Sequence, residues 1–370
     1  MGRPTVAEIN LEHLEHNLKC LRRHLRSGTR VLAIVKADAY GHGAAKVVSR
    51  LKKCGVSHFG VATVEEGEEL RREGLSAPIL VMGGILPDQI AEAVELDLET
   101  VVASKDHLDT IIMEGERLKK EVFIHIKVDT GMGRLGIFPD QLRGAMAQVE
   151  QSGYVSVKGV MSHLASADGD CSEDMEYTRQ QLGEVTETLN AFSGDSLPLH
   201  VLNSAGIFRF PDFQFQMVRP GISLYGSRPN AEFEDVGILP VMTLLTKIYY
   251  IKEFRRGHGV SYGRRYVTGR KERIAILPIG YADGMRRMLY PGHEVLVEGK
   301  AAPVVGTICM DNTMVDVTDI PEALVGSEVM IFGEHWGRTS PVEEVAKRAQ
   351  TIPYAILTGI GKRVPRVYTG

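Results

Sequence analysis

The sequence predicts an α/β protein with an N-terminal (β/α)8 TIM barrel followed by a mainly β C-terminal domain. Three observations carry this. Short apolar runs alternate with amphipathic helical stretches up to about residue 234. The first of those runs, Val31 to Val35, is apolar throughout instead of alternating, as in parallel strands covered on both faces. Beyond Asp235 the helices give way to strands separated by Gly, Pro and charged turns.

In chain order, Asn10 caps a first helix in which Leu11, Leu14, Leu18, Leu21 and Leu25 recur at three and four residues. His13 and His16 share a face of it, but without the HEXXH spacing of a metal site they read as a solvated face, and no metal is expected. Val31–Val35 reads as a buried strand ending in Lys36, followed by a Tyr40-Gly41-His42-Gly43 turn and a helix from about Ala44. Further strands are expected at His58–Ala62, Pro78–Met82, Thr100–Ala103, Val122–Asp129, Val157–His163, Leu199–Asn203 and Met217–Leu224. With the first these make the eight that a barrel requires. Helices are expected between them at Val64–Glu73, Asp88–Leu96, Lys105–Lys119, Pro139–Gln151 and Ser172–Asn190. The later part contains strand-like runs such as VMTLLTKIYYIKEF, RIAILPIGYAD and EVMIFG, with one helix near Pro341–Gln350. We place the boundary within SRPNAEFEDVG, giving a barrel domain over 1–234 and a β-rich domain over 235–370.

Composition narrows the function classes. With 44% apolar and 24% charged residues and a net charge of -4, nothing electrostatic argues for nucleic acid or a membrane surface. The opening MGRPTVAEINLEHLEHN lacks the apolar core of a signal peptide, and no apolar run approaches a membrane span. Cys20, Cys54, Cys171 and Cys309 are scattered without a CxxC pair, which suits a reducing compartment, so a cytoplasmic location is expected.

In a barrel of this kind the chemistry collects at the C-terminal ends of the strands. Those ends offer Lys36, Arg134, His163, Asn203, Ser204 and Arg219. By position alone Lys36 is equally a snorkelling lysine closing a strand or an amine able to form a Schiff base. The loops after strands seven and eight supply Asn203-Ser204 and Pro220-Gly221-Ile222, a hydroxyl and an unobstructed backbone suited to a phosphate. Lysine, phosphate pocket and barrel together point to pyridoxal 5'-phosphate. The GMGRLG run at 131–136 satisfies GxGxxG, but IFPDQ delays the helix and no acidic residue follows at the required distance.

Nine segments, in order, carry a resemblance: VKADAYGHG, KVDTGMGRLG, SHLASAD, NSAG, RPGISLYG, VSYG, PIGYADG, GTICMDNTMVD and TIPYAI. Together they resemble the bacterial alanine racemases over nearly the whole chain. The resemblance implies a homodimeric fold-type III pyridoxal phosphate enzyme with active sites shared between subunits. Such an enzyme interconverts L- and D-alanine, a small amino-acid substrate, by a two-base mechanism and supplies D-alanine for peptidoglycan. By motif, Lys36 resembles the cofactor-bearing lysine and first base, and Tyr262 the second base, delivered from the other subunit. Arg219 resembles the arginine facing the pyridine nitrogen, and His163 the histidine stacked on the ring. Tyr40, Ser204, Gly221, Ile222 and Tyr354 resemble the phosphate shell, with Asn203 beside them. Arg134 and Met310 resemble the substrate-carboxylate site, and Tyr281 and Asp168 entrance residues. Lys127 resembles a lysine that is carbamylated in many members. Thr307 departs from the family, where arginine is common in GRICMD; if the position lines the entrance, the channel is less cationic here. Asp38 stands where asparagine is common. A serine or broad-specificity racemase, a decarboxylase of the same fold, and a non-catalytic cofactor carrier are the rival readings.

Overall fold

The computed structural model describes residues 2–190, 197–229 and 236–370. Eight parallel strands close into a barrel: Arg30–Ile34, His58–Val61, Ile79–Val81, Glu99–Val102, Val122–Lys127, Val155–Met161, Leu199–His200 and Met217–Val218. They are numbered barrel strands one to eight below. The circle closes where Arg30 and Val31 pair with Met217 and Val218. Helices including Ala44–Lys53, Val64–Arg72, Lys105–Leu118 and Ser172–Asn190 alternate with them. Two start on side-chain caps, Thr63 accepting from the Glu66 amide and Ser104 from the His107 amide.

Most strands end earlier than the sequence pattern suggests, and strand eight does so with a consequence. The predicted Met217–Leu224 strand stops at Val218, because Pro220 has no N–H for the ladder; a 3-10 turn over Ile222–Tyr225 follows. The Gly221 and Ser223 amides are thereby released from sheet pairing and donate to the Ser204 hydroxyl at 2.9 and 3.3 Å.

The second domain is built on a seven-stranded sheet and a three-stranded one. Its large sheet includes a strand the sequence pattern does not mark. Val6–Asn10 lies antiparallel to Met242–Lys247 and parallel to the last strand, Arg366–Thr369. The chain therefore begins and ends in the same sheet, with the barrel between. The helix near Pro341–Gln350 is present as Val342–Arg348, and a second, unpredicted helix, Pro353–Leu357, carries Tyr354. The expected domain boundary at 234/235 lies outside the described residues.

Polar contacts tie the N-terminal segment and the first helix to the second domain. Asp283 is fully buried and paired with Arg3 and Arg363. The Asn17 amide bonds the Leu224 and Leu239 carbonyls and accepts the Leu239 amide. His13 and His16 are not a solvated face. Their rings meet the Pro240 and Gly237 carbonyls at 2.7 and 2.8 Å, because the first helix packs under the connection into the second domain. Among the described residues no helix is long and apolar enough to cross a membrane.

Candidate active site

The chain leaves barrel strand one by an uncommon route. Ala37, Asp38, Ala39 and Tyr40 all have φ between 52° and 55°, a single left-handed helical turn immediately after Lys36. Each such residue costs about 1–2 kcal/mol, so the turn must be held from outside. Glu66 does this from below, one carboxylate oxygen accepting the Ala37 amide at 2.6 Å and the other the Ala62 amide at 2.7 Å. Asp38 accepts the Ala44 amide and so tops the next helix. From the last strand, Arg366 donates to the Gly41 carbonyl at 3.0 Å. Gly43, at φ +90°, lies so close to the Tyr368 hydroxyl that a Cβ there would collide with it. The turn brings Lys36 and Tyr40 to the same cleft. Glu66 escapes sequence reasoning because VEEGEEL looks like an ordinary acidic first turn.

The cleft is lined by Ile34, Lys36, Tyr40, Met82, His163, Asn203, Ser204, Arg219, Gly221, Ile222 and Tyr354. Residues from six places in the sequence thus meet at the barrel mouth. Arg219 is buried, and its terminal nitrogens are all engaged. One donates to the His200 ring nitrogen Nδ1 at 2.8 Å and to the His200 carbonyl at 2.5 Å. The other reaches the Ser162 and Val201 carbonyls at 2.6 and 2.9 Å and His163 Nδ1 at 3.2 Å. Its Nε–H is left buried without a partner. Burial lowers the guanidinium to about 9, which keeps it protonated at neutral pH.

Lys36 is lowered from its ordinary value by burial and then by the charge of Arg134, with Glu66 acting against this and Arg219 with it. His163 falls well below its ordinary value through burial and the cations Arg219, Lys127, Arg134 and Lys36, so it is a neutral ring. Its Nδ1 accepts from Arg219, which puts its proton on Nε2. Tyr40 and Tyr354 are raised, chiefly by burial, and stay neutral donors; Asp168 adds to the effect on Tyr354. Asn203 serves as a helix cap, accepting the Gly206 amide at 3.0 Å. A Cβ on Gly221 would lie 2.5 Å from the Tyr40 hydroxyl, so only glycine leaves room beside it.

Lys127 ends barrel strand five, buried, and is lowered to about 8 by burial and by Arg134 and Arg219. Arg134 is exposed at the rim. The loop between them shows why GMGRLG is no dinucleotide site. Asp129 gathers its amides, accepting from Gly131 and Gly133 at 3.0 and 3.1 Å, and the loop's donors are spent internally.

Tyr262, Met310 and Tyr281 are not in this cleft. They lie on the second domain, 72%, 51% and 43% exposed. Neighbouring segments tie them into one patch: Ser261 donates to the Thr307 carbonyl, the Tyr281 amide to Cys309 and the Ala282 amide to Met310. Thr307 is itself buried, with its hydroxyl donating to the Tyr262 carbonyl at 2.9 Å. It props the tyrosine's backbone. The two expected entrance residues separate in one chain, Asp168 acting on Tyr354 and Tyr281 sitting beside Met310.

This barrel and β domain match two family models, "Alanine racemase, N-terminal domain" over residues 9–229 and "Alanine racemase, C-terminal domain" over 241–368. The chain belongs to the alanine racemase family. It is 42% identical to the alanine racemase of Halothermothrix orenii, over 99% of this chain and 97% of that one. It is 40% identical to alanine racemase 2 of Caldanaerobacter subterraneus, over 99% and 95%. Among solved structures, an alanine racemase of Clostridium difficile superposes with a TM-score of 0.93 at 36% identity, covering 100% of this chain and 96% of that chain. One from E. faecalis gives 0.91 at 32%, covering 99% and 98%. The protein is accordingly an enzyme that racemises alanine.

The residues present fit pyridoxal phosphate, the cofactor of alanine racemases. A lone buried Nε–H at Arg219 wants an acceptor. The hydroxyls of Tyr40 and Ser204 both lie against Gly221 in the same cleft, which Lys36 also lines.

Proposed function

We propose that the enzyme interconverts L- and D-alanine with pyridoxal phosphate by a two-base mechanism, in a homodimer whose sites each combine Lys36 of one subunit with Tyr262 of the other. The observation that carries this reading is the division of the site residues: a cleft with Lys36 and the unpartnered Arg219 Nε–H, and a separate exposed patch with Tyr262.

Bound there, pyridoxal phosphate lowers the cost of removing the α-proton of an amino acid. The phosphate would be held by the Tyr40, Ser204 and Tyr354 hydroxyls and the Gly221 and Ile222 amides. Arg219 can only donate, so its Nε–H would hold the ring by a hydrogen bond to the ring nitrogen as an acceptor. Racemisation takes a proton from one face and returns one to the other; a single base returns it where it came from. Lys36, lowered by burial and Arg134, is disposed to work as a neutral amine on one face. Tyr262 serves the opposite face, and the Nε2–H of His163 and the charge of Arg219 ease its loss of a proton. Arg134 and the backbone of Met310 receive the substrate carboxylate, and Tyr281 and Asp168 border the way in. Lys127, held at about 8, has the neutral fraction that carbamylation needs and would then orient Arg134. The physiological role is supply of D-alanine for peptidoglycan in the cytoplasm.

The test is reductive trapping. Borohydride treatment of the holoenzyme, followed by peptide mass analysis, should place the cofactor's mass on Lys36. Deuterium incorporation at Cα from D2O should be seen with both alanine enantiomers. Cofactor mass on another lysine would sink the assignment of Lys36.

A further inference from the structure

Behind Arg219 the barrel interior is threaded by a line of titratable side chains. Arg219 donates to His200 Nδ1 at 2.8 Å; His200 Nε2 lies 2.8 Å from His125 Nδ1; His125 Nε2 lies 2.9 Å from a Glu99 carboxylate oxygen. His125 and His200 are buried, and Glu99 is nearly so. The line climbs from the first residue of barrel strand four, through strand five, to the last residue of strand seven and the arginine just beyond strand eight.

The proton positions are forced by the arginine. A guanidinium has no lone pair to offer, so His200 Nδ1 must accept. A neutral imidazole carries one proton, which then sits on His200 Nε2 and is donated to His125 Nδ1. By the same step the His125 proton sits on Nε2 and is donated to Glu99. Every polar atom of both rings is used, and the line ends on a carboxylate. Arg219 otherwise touches only carbonyl oxygens and the neutral His163 ring.

The fold makes room for this line. Pairing between barrel strands five and six slips between Ile124 and His125: Lys158 is the extra residue on strand six, so that Gly159 stands opposite His125. A Cβ on Gly159 would lie 2.7 Å from His125 Nδ1. Electrostatics agree. Burial pushes Glu99 up, but the hydrogen bond donated by His125, with His58 and Lys158, leaves it below its ordinary value. His200 is kept neutral by burial and by Arg219.

We propose that Glu99 and His125 are positioning residues for the racemase reaction, acting through His200 to fix the tautomer that receives Arg219 and thereby the aim of its free Nε–H. This rests on the reading that the Nε–H faces the cofactor's ring nitrogen. The experiment uses holoenzyme carrying 15N-labelled histidine and, separately, 15N-labelled pyridoxal phosphate. Heteronuclear NMR should find His125 and His200 both as neutral Nε2–H rings. Glu99→Gln keeps the shape and removes the charge. It should retain cofactor and Tm, lower kcat about 10-fold with the alanine KM within about twofold, and displace the ring-nitrogen signal. Gly159→Ala, which crowds His125 without altering charge, should displace that signal in the same way. His200 found as an Nδ1–H ring or an imidazolium overturns the proposal. So do wild-type kcat and ring-nitrogen signal in folded Glu99→Gln. If that variant does not fold, the wild-type tautomers and Gly159→Ala decide. Arg219→Lys separates the two readings. An unmoved ring-nitrogen signal there refutes the placement of Arg219, whereas a moved signal with a silent Glu99→Gln refutes only the line behind it.

Discussion

The barrel mouth and the Tyr262 patch are built on opposite terms. At the mouth, Lys36, Tyr40, Arg219 and Ser204 are buried or half-buried, and nearly every polar atom of the arginine is committed to a fixed partner. In the patch Tyr262 is 72% exposed, and it is its backbone, not its ring, that Thr307 holds. A group that needs a shifted pKa needs burial and neighbours. Lys36 has both within one chain. Tyr262 lies exposed, and under the proposed shared site a second chain covers it.

Breaking that contrast is the largest effect we expect. Lys36→Ala should lower racemisation about 10⁴-fold, and Tyr262→Phe about 10³-fold, measured by appearance of the opposite enantiomer. If the two groups come from different subunits, mixing the inactive variants regenerates one intact site in each mixed dimer. With half the dimers mixed and half their sites intact, about a quarter of the activity should return. No return after demonstrated subunit exchange removes the shared site. Next comes the turn that delivers Lys36. Gly43→Ala forces a side chain into positive φ and against Tyr368, so urea denaturation should show a loss of roughly 2 kcal/mol. Gly221→Ala crowds the Tyr40 hydroxyl and should weaken cofactor binding about 10-fold in apoenzyme titrations.

The smallest effect is a pH slope at Lys127. Its folded value near 8 lies below the ordinary 10.5, so between these the unfolded chain binds more protons and stability rises with pH. The penalty is fully present below about pH 8 and relieved by about 10.5. Wild type should therefore gain on Lys127→Met across that window with bicarbonate excluded. With 13C-labelled bicarbonate present, a carbamate carbon signal should appear and the gain should shrink. A flat difference in both conditions would show that Lys127 is not a perturbed amine.

The eight barrel strands, their order and the strand-end position of Lys36 were legible because parallel buried strands write long apolar runs and helices write a different period. Val6–Asn10 was not, since its partners lie some 235 and 360 residues downstream and five residues carry too little pattern. Glu66 was equally hidden, as its task is set by the backbone of a turn whose left-handed conformation Ala37, Asp38 and Ala39 do not advertise. Local propensity favours the opposite hand there, and tertiary contacts override it. Glu99, His125 and His200 sit 26 and 75 residues apart and meet only because the barrel closes.

The clasp on that turn also sets a time order. Arg366 and Tyr368, which brace Gly41 and Gly43, follow every barrel strand in the order of synthesis. A nascent chain that has completed all eight barrel strands still lacks the strand that holds the loop after Lys36. The loop after Lys36 is thereby clasped only once the strand Arg366–Thr369 has joined the second domain's sheet, and a product truncated after the barrel would lack that clasp.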